Sequence, residues 1–153
     1  MSDAPPTVET IMTRHVVTVT MDDTVRHVRE VFQSVGFHHL VVTDNGKAAG
    51  VLSDRDLLKN ISPFVGKVTE RTQDRFTLDR KVHQIMSRRL VSCSISTTVG
   101  QAASLMLDRR VSCLPVLDDA GHCVGIVSLR DVVGWALVQC AGGANVCELN
   151  KAA

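Results

Sequence analysis

Two hydrophobic rhythms alternate along the chain. Residues 16–20, Val-Val-Thr-Val-Thr, are short and β-branched, which predicts a strand. Val25, Val28, Val31, Phe32 and Val35 then recur at helical spacing, and Asp22-Asp23-Thr24 before them supply capping residues. This predicts an amphipathic helix that stops at Gly36. Residues 40–43 read as a second strand, Asp44-Asn45-Gly46 as a tight hairpin turn, and residues 48–52 as the returning strand. Asp54 opens a closing helix that runs to Lys59. A short helical turn from Val8, ending near Thr13, precedes the first strand. The predicted order is strand, helix, strand, strand, helix.

The same order occurs again from Val82. Ile11-Met12, Val25, Leu40 and Asp44 reappear 74 positions later as Ile85-Met86, Val99, Leu114 and Asp118. Gly50 reappears as Gly125, 75 positions on, so one residue has been added. The addition falls in the turn Asp118-Asp119-Ala120-Gly121, where a structural repeat tolerates it. Ala102, Ala103, Leu105, Met106 and Leu107 lie in the equivalent helix; residues 114–117 and 123–127 form the equivalent strand pair. The chain therefore divides into a flexible leader (1–7), a first repeat (8–60), a linker (61–81), a second repeat (82–138) and a tail (139–153). The linker is polar and is expected to carry part of a helix from about Thr77 into Met86. The tail contains Gly142-Gly143 and lacks periodicity.

Composition narrows the function. The 153 residues are 44% hydrophobic and only 3% aromatic, with no tyrosine and a single Trp135, so the cores must be aliphatic. A net charge of +1 supplies no field to draw in nucleic acid or an acidic membrane. Five cysteines (Cys93, Cys113, Cys123, Cys140, Cys147) without C-x-x-C spacing argue against a zinc ribbon, a redox pair or a secreted disulfide framework. No signal-peptide core or bilayer-length apolar run is present, which points to the cytoplasm. There is no G-x-S-x-G, no H-E-x-x-H and no Walker lysine, so catalysis is not expected.

The chemistry lies where each repeat closes. Gly50-Val51-Leu52-Ser53-Asp54-Arg55-Asp56 and Gly125-Ile126-Val127-Ser128-Leu129-Arg130-Asp131 share glycine, two aliphatics, serine, a variable residue, arginine and aspartate. Each runs from a strand end into a helix N-terminus, which presents backbone donors suited to a phosphate. Asp56 and Asp131 lie one turn beyond Ser53 and Ser128, so serine and aspartate can face one ligand. Arg55 and Arg130 could fork onto a phosphate. The plainer reading makes the serines N-caps and lets the aspartates complement the helix dipole. Recurrence of the aspartate in both copies favours the ligand.

These two copies, with Ile-Met near each start and Leu114-Pro115-Val116 in the second, resemble the CBS (cystathionine-β-synthase) domain in tandem, the Bateman module. The resemblance implies an α/β (α+β) fold of two β-α-β-β-α repeats about a pseudo-twofold axis, small sheets packed with helices. It implies clefts between the repeats for an adenine nucleotide (AMP, ADP or ATP), with S-adenosylmethionine or a cyclic dinucleotide ranked behind. Ser53, Asp56, Ser128 and Asp131 would contact phosphate and ribose. Residues near Thr18-Val19 and Ser92-Cys93 would sandwich the adenine, and His38 and His39 would reach phosphate in the first repeat. Ser112 and Cys113 replace those histidines in the second, so the two sites are expected to be unequal. The module would be a homodimer and relay ligand state to a regulated protein. The competing expectation is a ligand-free dimerisation or protein-interaction module.

Overall fold

A computed structural model of the chain describes residues 4–140. The chain forms two compact units, one from Val17 to Leu90 and one that combines the residues up to Val16 with those from Val91 onward. No peptide bond among the described residues is cis.

In the first unit, β1 (Thr18–Thr20) runs parallel to β2 (His39–Asp44), which pairs antiparallel with β3 (Lys47–Ser53). The helix α1 (Val25–Ser34) forms the crossover between β1 and β2, and α2 (Asp54–Asn60) follows β3. The hairpin turn holds Asn45 and Gly46 at positive φ (49° and 79°), which a type I′ turn requires at both central positions. Alternation along the strands puts Val19, Leu40, Val42 and Leu52 on one face, all buried against Val25 and Val28 of α1.

The second unit repeats this with β4 (Cys93–Ser94), α4 (Val99–Arg109), β5 (Cys113–Leu117), β6 (Cys123–Ser128) and α5 (Leu129–Cys140), sheet order β4-β5-β6. Its core gathers Leu114, Val116 and Val127 with Val99, Ala102 and Met106 of α4. Trp135 is half-buried against this core.

The unit boundaries cut across the repeats. Val8 and Met12, at the start of the first repeat, belong to the second unit's core, whereas Val82 and Ile85, at the start of the second, belong to the first. Each opening segment forms a single 3-10 turn, Val8–Thr10 or Val82–Gln84, then one bridge to a closing strand, Thr13 to Ile126 or Ser87 to Val51. That crossing explains the motif glycines. A Cβ on Gly50 would run into the Ser87 carbonyl, and one on Gly125 would sit 2.5 Å from Met12 Sδ.

Two expectations need correction. The linker does not carry a helix from Thr77 to Met86; instead α3 spans Thr72–Phe76, and the chain is extended at Lys81. The carbonyls of Leu78 and Arg80 are taken by the N–H groups of Arg26 (2.9 Å) and Val25 (2.8 Å), at the start of α1. The extended backbone at Lys81 is incompatible with a helical ladder running through this stretch. Leu78 is only 3% exposed, so this part of the linker is core. The leader is also fixed at its end: the Pro6 carbonyl accepts from Val99 N–H at 2.9 Å, and Thr7 bridges Thr98. The Gly142-Gly143 tail and Cys147 lie outside the described residues.

Candidate functional site

In each unit the motif serine ends the third strand and caps the next helix. Ser53 Oγ accepts from Asp56 N–H (3.2 Å), while Asp56 Oδ2 accepts from Ser53 N–H (3.0 Å) and Ser53 Oγ–H (2.6 Å). Ser128 and Asp131 repeat the arrangement at 3.3, 2.7 and 2.6 Å. This is a capping box with aspartate in the position more often held by glutamate. Two consequences follow. The serine's only proton is already donated, so its hydroxyl can offer a ligand an acceptor lone pair but no donor. The aspartate uses Oδ2 alone, and Oδ1 accepts no hydrogen bond among the described residues.

Sheet register collects the other positions at the same end. His39 pairs with Ser53 across β2 and β3, and Thr18 opens β1 beside Val41. Thr18, His39 and Ser53 therefore lie on the sheet face opposite the core. Val19 is on the core side, 2% exposed, and its side chain cannot touch a ligand; only its backbone remains for adenine. In the second unit Cys113 pairs with Ser128, and Ser92, just before β4, falls by alternation on that same face. Cys93 turns toward the core like Val19. Burial pushes the Cys113 thiol up to about 12 and the Cys93 thiol to about 11, so both are neutral, unreactive groups. Arg55 and Arg130 are exposed in the first turn of their helices.

A backbone bond ties the start of the second strand to the helix in both units: Asp54 N–H donates to the His38 carbonyl (3.1 Å), and Leu129 N–H to the Ser112 carbonyl (2.9 Å). The first unit adds a side-chain link, His38 Nδ1 to Asp54 Oδ2 at 2.8 Å. The His38 hydrogen bond holds the Asp54 carboxyl below its ordinary value. Burial keeps the neighbouring His39 imidazole below 6.5, with the Asp54 charge opposing it. Asp54 was missed in the sequence because it occupies the variable place of the motif; the adjacent His-His pair was the only signal.

A cavity of about 410 Å³ opens beside α1, α2 and the segment after it, bordered by Phe32, Leu57, Leu58, Ile61, Arg29 and Asp54. None of the ligand-binding residues expected from the sequence lines it. No cluster of three or more His, Cys, Asp or Glu able to hold a metal occurs among the described residues. None of the described helices is long and apolar enough to cross a membrane.

The CBS domain family model matches residues 8–63 and 82–137, the two repeats that build these paired ends. The chain belongs to the CBS-domain family. A CBS domain-containing protein of Dictyostelium discoideum is 33% identical over 82% of the chain and 88% of its own length. The chain spans 42% and 22% of two further curated relatives. Among solved structures, CBSX2 in complex with AMP superposes with a TM-score of 0.71 at 27% identity, covering 86% of this chain and 96% of that one. The cytosolic domain of the Mg2+ channel MgtE in complex with ATP gives 0.64 at 29%, covering 80% and 46%. The tandem CBS fold read from the sequence is the fold observed.

Proposed function

We propose that this CBS pair is a non-catalytic sensor that binds an adenine nucleotide, AMP, ADP or ATP, and relays its level to a protein partner. The observation that carries this reading is the carboxylate oxygen left over by each capping box. Asp56 and Asp131 are fixed through Oδ2 by two donors apiece, which preorganises Oδ1 as an acceptor for ribose hydroxyls. Thr18 and Ser92, with the Val19 and Cys93 backbone, border the adenine. Arg55, Arg130 and, in the first unit, His38 and His39 supply phosphate donors. Ser53 and Ser128 hold the carboxylates in place. Relatedness to proteins solved with AMP and ATP supports the ligand class. The module acts in the cytoplasm as a homodimer, apart from nucleic acid and membrane, and ligand shifts a conformational equilibrium in proportion to its differential affinity.

A second reading, a protein-interaction module with empty sites, draws on Leu58, 73% exposed beside the α1–α2 cavity, and on exposed Phe64. A thermal-shift panel of AMP, ADP, ATP, S-adenosylmethionine and cyclic dinucleotides separates the two. A ligand at 100 times its Kd adds about 2.7 kcal/mol, a rise of roughly 5–11 °C for a chain of about 150 residues. A selective rise with an adenine nucleotide, recovered unchanged by chromatography, supports the sensor. No rise with any ligand favours the interaction module, and turnover of the nucleotide would make the chain an enzyme.

A further inference from the structure

The two units carry the same capping box but differ beside it. In the first, the variable motif position is Asp54, and its carboxylate meets His38 Nδ1 at 2.8 Å. In the second, Leu129 and Ser112 take those places, and neither titrates. The contact decides which nitrogen of His38 carries the proton. An ionised carboxylate only accepts, so the Nδ1 facing it must hold a hydrogen. In the neutral ring Nε2 is then a bare lone pair, and it takes no hydrogen bond among the described residues. A lone pair repels a phosphate oxygen. Protonation turns the same nitrogen into a charged donor without breaking the Asp54 bond.

We propose that Asp54 makes phosphate binding at the first-unit site proton-linked: His38 engages a phosphate only as it takes up a proton, whereas the second-unit site binds without one. This rests on the nucleotide reading above. Asp54 bonds His38 directly and His39 follows it at the start of β2; Arg55 and Asp56 come next after Asp54 on α2, and Arg29 of α1 lines the same cavity as Asp54. A phosphate bound beside the ring adds a negative charge, which favours the charged form of an imidazole. His38 has room to respond, with 64% of its side chain exposed.

The test titrates AMP and adenosine calorimetrically into Asp131→Ala protein, which silences the second-unit site. The range runs from about pH 7 to about pH 8.5, above the second ionisation of a phosphate monoester near 6. AMP affinity should fall as pH rises, by up to about tenfold per pH unit, the slope of one proton. Adenosine affinity should stay flat. His38→Ala should bind AMP more weakly at the low end and lose the slope. Asp54→Leu, which frees the ring to carry its proton on Nε2, should keep AMP binding with a shallower slope. The ring-nitrogen NMR shifts of His38 should report an Nδ1–H tautomer that Asp54→Leu abolishes. An equal slope in His38→Ala, or with adenosine, overturns the proposal and leaves the nucleotide reading standing. So does loss of AMP binding in Asp131→Ala while the parent still binds. No binding of AMP or adenosine to the parent at any pH overturns both.

Discussion

Asp56 and Asp131 divide their labour between two oxygens, and that division turns a structural device into a candidate binding one. Oδ2 closes the cap and Oδ1 is left over. The serines are more nearly structural than the motif suggested, since their protons are committed. Ser53→Ala should cost about 1 kcal/mol by denaturant unfolding, the usual value of an N-cap, and should weaken nucleotide binding only as far as Asp56 loosens. The motif glycines make a sharper comparison. A methyl on Gly50 meets the Ser87 backbone carbonyl, which cannot move without its bridge, whereas a methyl on Gly125 meets the flexible end of Met12. Gly50→Ala should therefore destabilise by the upper part of the roughly 1–3 kcal/mol typical of overpacking, and Gly125→Ala by the lower part. Equal midpoint shifts in urea would contradict that account. Repetition made these residues legible in the sequence. It could not reveal that Val19 and Cys93 face the core, because strand phase depends on register and both lie in strands of two or three residues.

At the level of elements, the strands and long helices were readable because each carries a clean period, and the Asn45-Gly46 turn because only a few residues accept its geometry. The linker was not readable. Its stretch from Leu78 to Val82 is ordered by partners distant in sequence: its carbonyls serve the first turn of α1, and Leu78 fills the core beneath it. Pro6, 74 positions before Arg80, does the same for α4, so the structural repeat begins before the sequence match does. Local pattern cannot show a hydrogen bond whose acceptor lies 55 residues from its donor, as Arg80 does from Val25. If this stretch is core rather than tether, Leu78→Ala should cost about 2–5 kcal/mol, the range for a buried leucine. A change below about 0.5 kcal/mol, as at an ordinary surface site, would return the segment to the status of a linker.

For the whole chain, pH offers a readout of stability. His39 is held below 6.5 by burial, so the unfolded chain binds its proton first. That contribution is present above 6.5, is lost as pH falls from there to the folded value, and then changes no further. Asp54, Asp74 and Asp118 are held below their ordinary 3.8 by hydrogen bonds from His38, Ser62 and the His122 backbone respectively. Their contribution is present above 3.8 and is lost as pH falls through the lower folded values. The melting temperature should therefore step down twice on acidification, and His39→Gln should remove the upper step. An unchanged upper step would assign it to another group.

The central claim is that two carboxylates bind one class of ligand, and calorimetric titration of AMP into the parent chain and into Asp56→Asn/Asp131→Asn tests it most directly. Asparagine keeps a carbonyl for the cap but loses the charge, so the fold should survive, as the melting curve will show. Binding to the parent that falls at least about tenfold, 1.4 kcal/mol or more, in the folded double variant is the result predicted. Equal affinity in the two proteins would place the nucleotide elsewhere, and no affinity in the parent would leave the capping boxes as caps alone.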